Sequence, residues 1–215
     1  MKAIRVVVVD DHPVVRLGIC NALRQEPDIE IAGEAADGSQ ALELVRALRP
    51  DVCILDVQMP DMSGVMVARR LRAHCPAVHI LALSAYAEDG YIFGMIAEGV
   101  EGYLLKDEAI ENVARAVRAV ARAETWLSPQ VAGRVVQRIT ARKPFPVPRP
   151  DRPTEREKEV LHLMAEGRSN QEIAEALCIT DRTVRYHIAN LFAKLGTTSR
   201  IGVVVEAIRR GWIEV

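Results

Sequence analysis

The chain has 215 residues, enough for one or two domains. Apolar residues make up 49% of it and charged residues 27%, which is typical of a globular protein and excludes a disordered or fibrous chain. The formal net charge is −1, so no overall field would attract nucleic acid or a membrane surface.

The charge is distributed unevenly along the chain. Residues 1–123 carry 13 basic and 18 acidic side chains, residues 124–150 carry 5 and 1, and residues 151–215 carry 10 and 10. This division predicts an acidic domain, a basic connector and a second domain. The four cysteines lack the spacing of a zinc site or a CxxC pair. No apolar run reaches the ~18 residues of a membrane span, and the N-terminus is typical of a buried strand rather than a signal peptide. We therefore expect a cytoplasmic protein.

Short apolar runs alternate with amphipathic helical stretches in the predicted first domain, residues 1–123. The runs lie at residues 4–9, 29–32, 52–55, 80–83 and 102–105. This alternation predicts an α/β fold with a doubly wound, five-stranded parallel sheet. The continuous Val, Ile and Leu content of the five apolar runs indicates strands that are buried on both faces of the sheet. A helix at about 108–123 is expected to close the domain.

A connector is predicted at residues 124–153, as a short helix (SPQVAGRVVQRI) followed by a linker. The linker, KPFPVPRPDRP, holds five of the eleven prolines. Proline removes backbone donors and favours extended conformations, so the linker is expected to be semi-rigid and solvated. An irregular loop inside a single domain is the alternative. Residues 154–215 show no strand pattern and predict four helices, at 155–166, 170–176, 181–195 and 198–210.

Polar side chains follow four of the predicted strands. Asp10 and Asp11 come after the first strand, Asp56 ends the third, Ser84 the fourth and Lys106 the fifth. The carboxyl ends of parallel strands meet at one sheet edge, where functional groups gather. Three carboxylates there would repel each other unless Lys106 and a divalent cation such as Mg²⁺ offset them. The set suits phosphoryl transfer with Asp56 as the nucleophile. Solvated loop acids are the alternative.

Two classes of enzyme are excluded by the residues that stand where their functional groups would have to be. A phosphatase of the haloacid dehalogenase type needs a carboxylate two residues after its aspartyl nucleophile, where this chain has Gln58. A flavodoxin-type cofactor site needs small polar residues after the first strand to hold phosphate. The acidic pair after the first strand would instead repel a phosphate group.

The segments VVVVDDHP, LDVQMPDMSG, LALSAY and GYLLKD closely resemble the receiver domain of bacterial two-component response regulators, over residues 1–123. The resemblance implies that Asp56 is the phosphoacceptor, assisted by Lys106. It implies that Ser84 moves onto the phosphoryl group while Tyr103 rotates inward. It also implies a Mg²⁺ site formed by Asp11, Asp56 and the carbonyl of Gln58, with Asp10 acting through water.

The segment NQEIAEALCITDRTVRYHIANLFAKLG predicts a helix-turn-helix, with Thr180 as the N-cap of the second helix. At ~100° per residue, one stripe of that helix is apolar core, namely Val184, Ile188, Leu191 and Leu195. The opposite face holds Arg182, Tyr186, Ala189 and Ala193. Arginine beside small residues suits a helix that enters the major groove of DNA. Residues 181–215 carry 6 basic and 3 acidic side chains, which supports this interpretation. The alternative is a helical bundle for protein contacts.

Residues 154–212, from TEREKEVL through TVRYHIANLFAKLG to IRRGW, resemble the LuxR-type DNA-binding domain. The resemblance implies base contacts by Arg185 and Tyr186. It also implies residues that contact DNA phosphates or support such contacts, namely Arg182, Thr183, Asn190 and Lys194. For His187 we favour a packing or phosphate role over a metal site, because no partner ligand lies one turn away.

The order of a receiver domain, a linker and a LuxR-type domain resembles that of the NarL/FixJ group of response regulators. The resemblance implies a transcription regulator, not a turnover enzyme, that a sensor histidine kinase phosphorylates and that binds promoter half-sites as a homodimer. Two alternatives stay open: an orphan regulator that binds DNA constitutively, and a receiver that acts mainly through protein partners.

The last predicted helix offers a candidate dimer surface. Its core stripe is expected to be Ile201, Val204, Val205 and Ile208. Val203 is then left exposed on the other side, where it would serve in the dimer contact.

Overall fold

The computed structural model describes residues 3–60, 62–85, 87–141, 152–197 and 199–213. The chain divides into two units, Met1–Pro148 and Arg149–Val215. The predicted proline-rich linker falls largely on residues 142–151, which lie outside the described residues. In the described part of the chain, no helix combines the length and the apolarity that crossing a bilayer requires.

The first unit is built on a parallel sheet with the strand order β2-β1-β3-β4-β5-β6. The sheet confirms the predicted doubly wound α/β fold. Because the strand order reverses next to β1, a crevice opens at the carboxyl ends of β1 and β3. The strands are β1 (Ile4–Val9), β2 (Ile29–Ala35), β3 (Val52–Asp56), β4 (His79–Ser84), β5 (Gly102–Leu105) and β6 (Trp126–Leu127).

Helices cover both faces of this sheet. Apolar side chains of α1 and α5 pack with β1, β3, β4 and β5 in one buried cluster, which explains why these strands are apolar throughout. Local signals set several helix starts: the side chains of Asp37 and Ser63 cap α2 and α3. The helices are α1 (Pro13–Arg24), α2 (Gly38–Leu48), α3 (Gly64–His74), α4 (Asp89–Ala97), α5 (Ala109–Ala121) and α6 (Pro129–Thr140).

The sixth strand is a feature that the sequence did not predict. Strand β6 has two residues, too few to show any hydrophobic period, and pairs in parallel with β5. The next residue, Ser128, accepts a hydrogen bond from Leu105 N through its Oγ and donates one from its own N to Tyr103 O, both at 3.0 Å. The Arg138 guanidinium of α6 lies 4.5 Å from the centre of the Phe93 ring of α4. The connector helix therefore packs as part of the first unit.

The second unit consists of four helices, as predicted. They are α7 (Glu155–Ala165), α8 (Asn170–Leu177), α9 (Asp181–Leu195) and α10 (Arg200–Arg209). Capping boxes start α7 and α8, and the Thr180 side chain caps α9. Helix α9 contacts α7, α8 and α10. It is thus the central helix of this unit.

The prediction for α10 was wrong. Val203 is fully buried in the core of the second unit, together with Ala207. Ile201 is 78% exposed, and Val205 and Ile208 are also exposed. Apolar residues occupy both sides of this helix, so its period alone did not decide which side packs against α7 and α9.

Candidate functional site

An acidic pocket lies at the carboxyl edge of the sheet, where β1, β3 and β5 end. The Nζ atom of Lys106 is 2.7 Å from Asp10 Oδ2 and 2.7 Å from Asp56 Oδ2. Asp10 and Asp56 are fully buried, and the Lys106 side chain is nearly so. The structure thus brings together the groups that the strand ends predicted.

Asp11, His12 and Gln58 complete this pocket. Gln58 N donates a hydrogen bond of 3.0 Å to Asp56 Oδ1, which places its peptide beside that carboxylate. Ligand atoms of Asp10, Asp11, His12 and Asp56 all lie within 4.8 Å of one another. Three carboxylates and one lysine leave an excess of negative charge that a divalent cation would offset. Such a pocket is typical of a Mg²⁺ site.

Burial raises the pKa of Asp56 above its usual value; Lys106 opposes this shift and Asp10 adds to it. The carboxylate is therefore ionised most readily when further positive charge enters the pocket. Since only an ionised carboxylate is a nucleophile, added positive charge would favour the form of Asp56 that can react.

The two predicted switch residues lie beside the pocket. Ser84, at the end of β4, and Tyr103, in β5, are both fully buried. Burial raises the pKa of the Tyr103 hydroxyl above its usual range, and a hydrogen bond with Ser84 opposes the shift. The Tyr103 side chain is thus buried in this structure, and its inward rotation on phosphorylation stays a prediction.

Gly64 is a residue of the pocket that the sequence analysis missed. It begins α3, and a Cβ atom built on it would lie 2.4 Å from the carbonyl oxygen of Asp56. The backbone of α3 can approach the end of β3 this closely only because Gly64 has no side chain. A glycine directly after the N-cap Ser63 was the available signal, because helices disfavour glycine.

The predicted DNA-binding residues on α9 differ in exposure. Arg185 has 72% of its side chain exposed and pairs with Asp181 at 2.6 Å. Asn190 is partly buried. Thr183 is buried, and its hydroxyl shares a 2.8 Å hydrogen bond with Thr180 in the N-cap. The side chain of Arg182 lies outside what the structure describes, as does that of Ala193.

The placement of Tyr186 on a solvent face was wrong. Tyr186 is only 6% exposed, although it lies opposite the apolar stripe of α9. Lys194, predicted to contact phosphate or to support such a contact, has its Nζ 2.5 Å from the buried carboxylate of Glu157 in α7.

His187 is buried against the edge of the Tyr186 ring. Burial lowers its pKa to about 4, with Arg156 and Lys194 adding to the shift. A buried, neutral imidazole supports the packing role over a phosphate contact.

Two family models match the chain. Residues 6–118 match the response regulator receiver domain, and residues 154–207 match the bacterial regulatory proteins of the luxR family. These matches confirm the resemblances of both parts of the sequence.

Similar proteins align with this chain over nearly their whole length. The chain is 33% identical to the transcriptional regulatory protein DegU of Brevibacillus brevis, covering 99% of this chain and 96% of DegU. It is 36% identical to the response regulator VraR of Staphylococcus aureus, covering 98% and 99%.

Among solved structures, ChrA of a heme-sensing two-component system has a TM-score of 0.54 at 33% identity, covering 99% of this chain and all of ChrA. The response regulator RcsB, solved in complex with DNA, has a TM-score of 0.60 at 25% identity, covering 96% of this chain and 98% of RcsB.

Proposed function

The chain belongs to the two-component response regulators that join a receiver domain to a LuxR-type helix-turn-helix, and we propose that phosphorylation of its Asp56 controls DNA binding by its second unit. As a member of this family it is a transcription regulator and not a turnover enzyme. The domains proposed are the receiver at residues 1–123, the helix and linker at 124–153 and the DNA-binding domain at 154–215.

The observation that carries this proposal is the buried Asp56 carboxylate, held by Lys106 on one oxygen and by the Gln58 peptide on the other. In the transfer, a carboxylate oxygen of Asp56 forms a bond to phosphorus as the bond from phosphorus to the donor breaks. The product is an acyl phosphate. Lys106 stabilises negative charge on the phosphoryl oxygens. A Mg²⁺ ion would be held by Asp11, Asp56 and the Gln58 carbonyl, with Asp10 acting through water, and would supply further charge stabilisation when bound. A sensor histidine kinase is the proposed donor.

Ser84 and Tyr103 are proposed to report the phosphoryl group to the rest of the receiver. The Ser84 hydroxyl is close enough to Tyr103 to share a hydrogen bond with it. If Ser84 turns to donate to a phosphoryl oxygen, Tyr103 loses that partner, and the environment of β5 changes. Because β5 is joined to β6 through Ser128, the change reaches the helix that precedes the linker. A difference of a few kcal/mol between two states is enough to shift their populations.

On the DNA side, Arg185 is proposed to contact a base, because it is long, cationic and exposed. Tyr186 keeps its predicted base contact only as a proposal, since it is buried in this structure. The proposed phosphate contacts, or residues supporting them, are Arg182, Thr183, Asn190 and Lys194. The solved RcsB complex with DNA supports this role for the second unit.

A homodimer is proposed because one helix reads too few base pairs to specify a genomic site. The exposed stripe of α10, formed by Ile201, Val205 and Ile208, is the surface proposed for it. The sequence had indicated Val203 for the dimer contact, but Val203 is buried, so the exposed stripe is proposed in its place. Two-fold pairing predicts two half-sites about one helical turn apart.

The proposal is tested by labelling with acetyl phosphate and Mg²⁺, followed by titration of the protein on a DNA fragment that carries its binding site. We expect an acid-labile phosphate on Asp56 by mass spectrometry, and tighter DNA binding by the labelled protein. Asp56→Asn and chelation of Mg²⁺ should abolish both. Asp107→Asn is the matched control, because Asp107 is an exposed carboxylate next to Lys106, and it should behave as the wild type.

Label persisting on Asp56→Asn would place the phosphoacceptor elsewhere. Labelling of Asp56 without any change in DNA binding would favour the orphan regulator, or a receiver that acts mainly through protein partners.

A further inference from the structure

The proposed phosphorylation does not use the imidazole of His12, although this group faces the pocket. Its Nδ1 lies 3.3 Å from Asp10 Oδ1 and 3.2 Å from Asp11 Oδ1. The side chain is 41% exposed, so one side of the ring is open to solvent. His12 thus lies between two pocket carboxylates and the solvent.

The position of His12 is not explained by a role in its helix. His12 is the N-cap residue of α1, yet its side chain makes no capping hydrogen bond. The helix start is instead supported by Pro13 at the first helical position. The main-chain N of His12 donates a 2.8 Å hydrogen bond to Asp10 Oδ1, which holds the backbone beside the pocket.

The chemistry of this set of ligands differs from that of a pocket with oxygen ligands alone. Carboxylates and carbonyls suit Mg²⁺, which prefers oxygen. Imidazole nitrogen suits borderline cations such as Ni²⁺ and Zn²⁺, and such sites bind Ni²⁺ more tightly than Mn²⁺. The ligand atoms of His12 and the three aspartates lie within 4.8 Å of one another, close enough to surround one ion.

We propose that His12 is a metal ligand of this pocket, so that the receiver binds a borderline divalent cation through three carboxylates and one imidazole, in competition with Mg²⁺. The inference rests on the pocket of the proposed function and adds His12 to it as the residue that determines cation selectivity. A borderline cation held there would displace Mg²⁺ from the carboxylates that the two ions share.

The test is isothermal titration of the full chain, without a polyhistidine tag, with Ni²⁺ and separately with Mg²⁺. His12→Gln keeps a polar side chain but removes the imidazole, and it should fold normally because no capping bond is lost. We expect its Ni²⁺ affinity to fall about tenfold or more, with its Mg²⁺ affinity changed less than about threefold.

Two further variants locate the binding. His74→Gln removes an exposed histidine at the end of α3 and should leave both affinities unchanged. Asp56→Asn should weaken both cations, because they share that carboxylate. An unchanged Ni²⁺ affinity in His12→Gln, or equal losses for Ni²⁺ and Mg²⁺, would overturn the proposal. So would Ni²⁺ binding that is insensitive to Asp56→Asn.

Failure of the proposed function is recognised separately. Labelling of wild-type Asp56 with Mg²⁺ and acetyl phosphate, measured without Ni²⁺, tests phosphorylation alone. If labelling fails while His12→Gln still loses Ni²⁺ selectively, the phosphoacceptor proposal is wrong and the cation site stands. If labelling succeeds without a selective effect of His12→Gln, only the His12 inference is wrong.

Discussion

At the scale of single residues, the pocket depends on a close approach between two backbone segments as much as on its charges. Asp56 ends β3, and the first turn of α3 passes over its carbonyl oxygen at Gly64. Any side chain at that position would meet main-chain atoms, which cannot move aside as a flexible side chain can. The orientation of Asp56 toward Lys106 is therefore sensitive to one glycine.

We expect Gly64→Ala to lower the free energy of unfolding by about 1–3 kcal/mol, because its Cβ would overlap backbone atoms. It should also slow the labelling of Asp56 by acetyl phosphate. Urea unfolding measures the first effect. Gly133→Ala in α6 is the control, since a Cβ there meets no atom within 4 Å, and it should be neutral or stabilising by up to ~1 kcal/mol. Equal unfolding midpoints for Gly64→Ala and wild type would contradict this account.

His187 makes the stability of the second unit depend on pH. Burial lowers its pKa from the ordinary 6.5 of a histidine to about 4 in the folded chain. The unfolded chain therefore binds the proton more readily than the folded chain. The contribution of neutral His187 to the free energy of unfolding is complete above pH 6.5 and is lost as the pH falls toward 4. The shift corresponds to about 3 kcal/mol.

Urea unfolding is measured between pH 7 and pH 4. The fluorescence of Trp212, in a Trp126→Phe background, monitors the unfolding. His187→Gln cannot gain a proton and should lose this part of the pH dependence, whatever its own stability. His162→Gln, exposed on α7, should keep it. If the pH dependence is the same with and without His187, the burial of its neutral form is not the cause.

At the scale of elements, α10 has apolar residues on two sides and uses them differently. Val203 and Ala207 pack in the core of the second unit. Ile201, Val205 and Ile208 face solvent, spaced by four and three residues as one helical stripe. Three exposed, aligned aliphatic side chains on one helix make this stripe the candidate for the proposed dimer contact.

Val205→Glu should weaken binding to paired half-sites by about an order of magnitude or more, since a carboxylate in an apolar interface lacks a partner. It should leave the unfolding midpoint nearly unchanged, because Val205 is exposed. Val203→Glu should instead unfold the second unit. Electrophoretic titration on paired and single half-sites, with urea unfolding beside it, separates the two effects. Normal paired-site binding by Val205→Glu would move the dimer surface off α10.

At the scale of the whole molecule, the chain joins two units with separate cores. The buried cluster of the sheet and its helices belongs to the first unit, and a second cluster is formed by α7 to α10. Units with separate cores are expected to fold independently. The proposed function uses this division, because one unit carries the phosphoacceptor and the other the DNA-binding helix.

Mild proteolysis is expected to cleave first within KPFPVPRPDRP, since its proline-rich sequence predicts a solvated connection between domains, and such connections are preferred sites. The products should be fragments of roughly 1–143 and 153–215, each with its own cooperative unfolding transition. Mass spectrometry identifies the cut, and far-ultraviolet circular dichroism follows the two fragments. A single transition with no stable fragments would contradict the division into two domains.

The sequence alone determined the features that local patterns carry. The apolar runs identified β1 to β5, the helical periods identified α7 to α10, and the order of strands and polar residues put Asp10, Asp56 and Lys106 at one sheet edge. These features repeat every two to four residues, or follow from the geometry of parallel strands, so they need no knowledge of distant neighbours.

Only the tertiary structure decided which of two equivalent surfaces is buried. Val203 and Val205 are alike by composition and helical period, and α7 and α9 select Val203 for the core. The burial of Tyr186 could not be foreseen from its position opposite the core stripe, and β6 exists because β5 offers it an edge to pair with. Burial depends on contacts between residues far apart in the chain, and the period of a helix with apolar residues on two sides does not decide which side makes them.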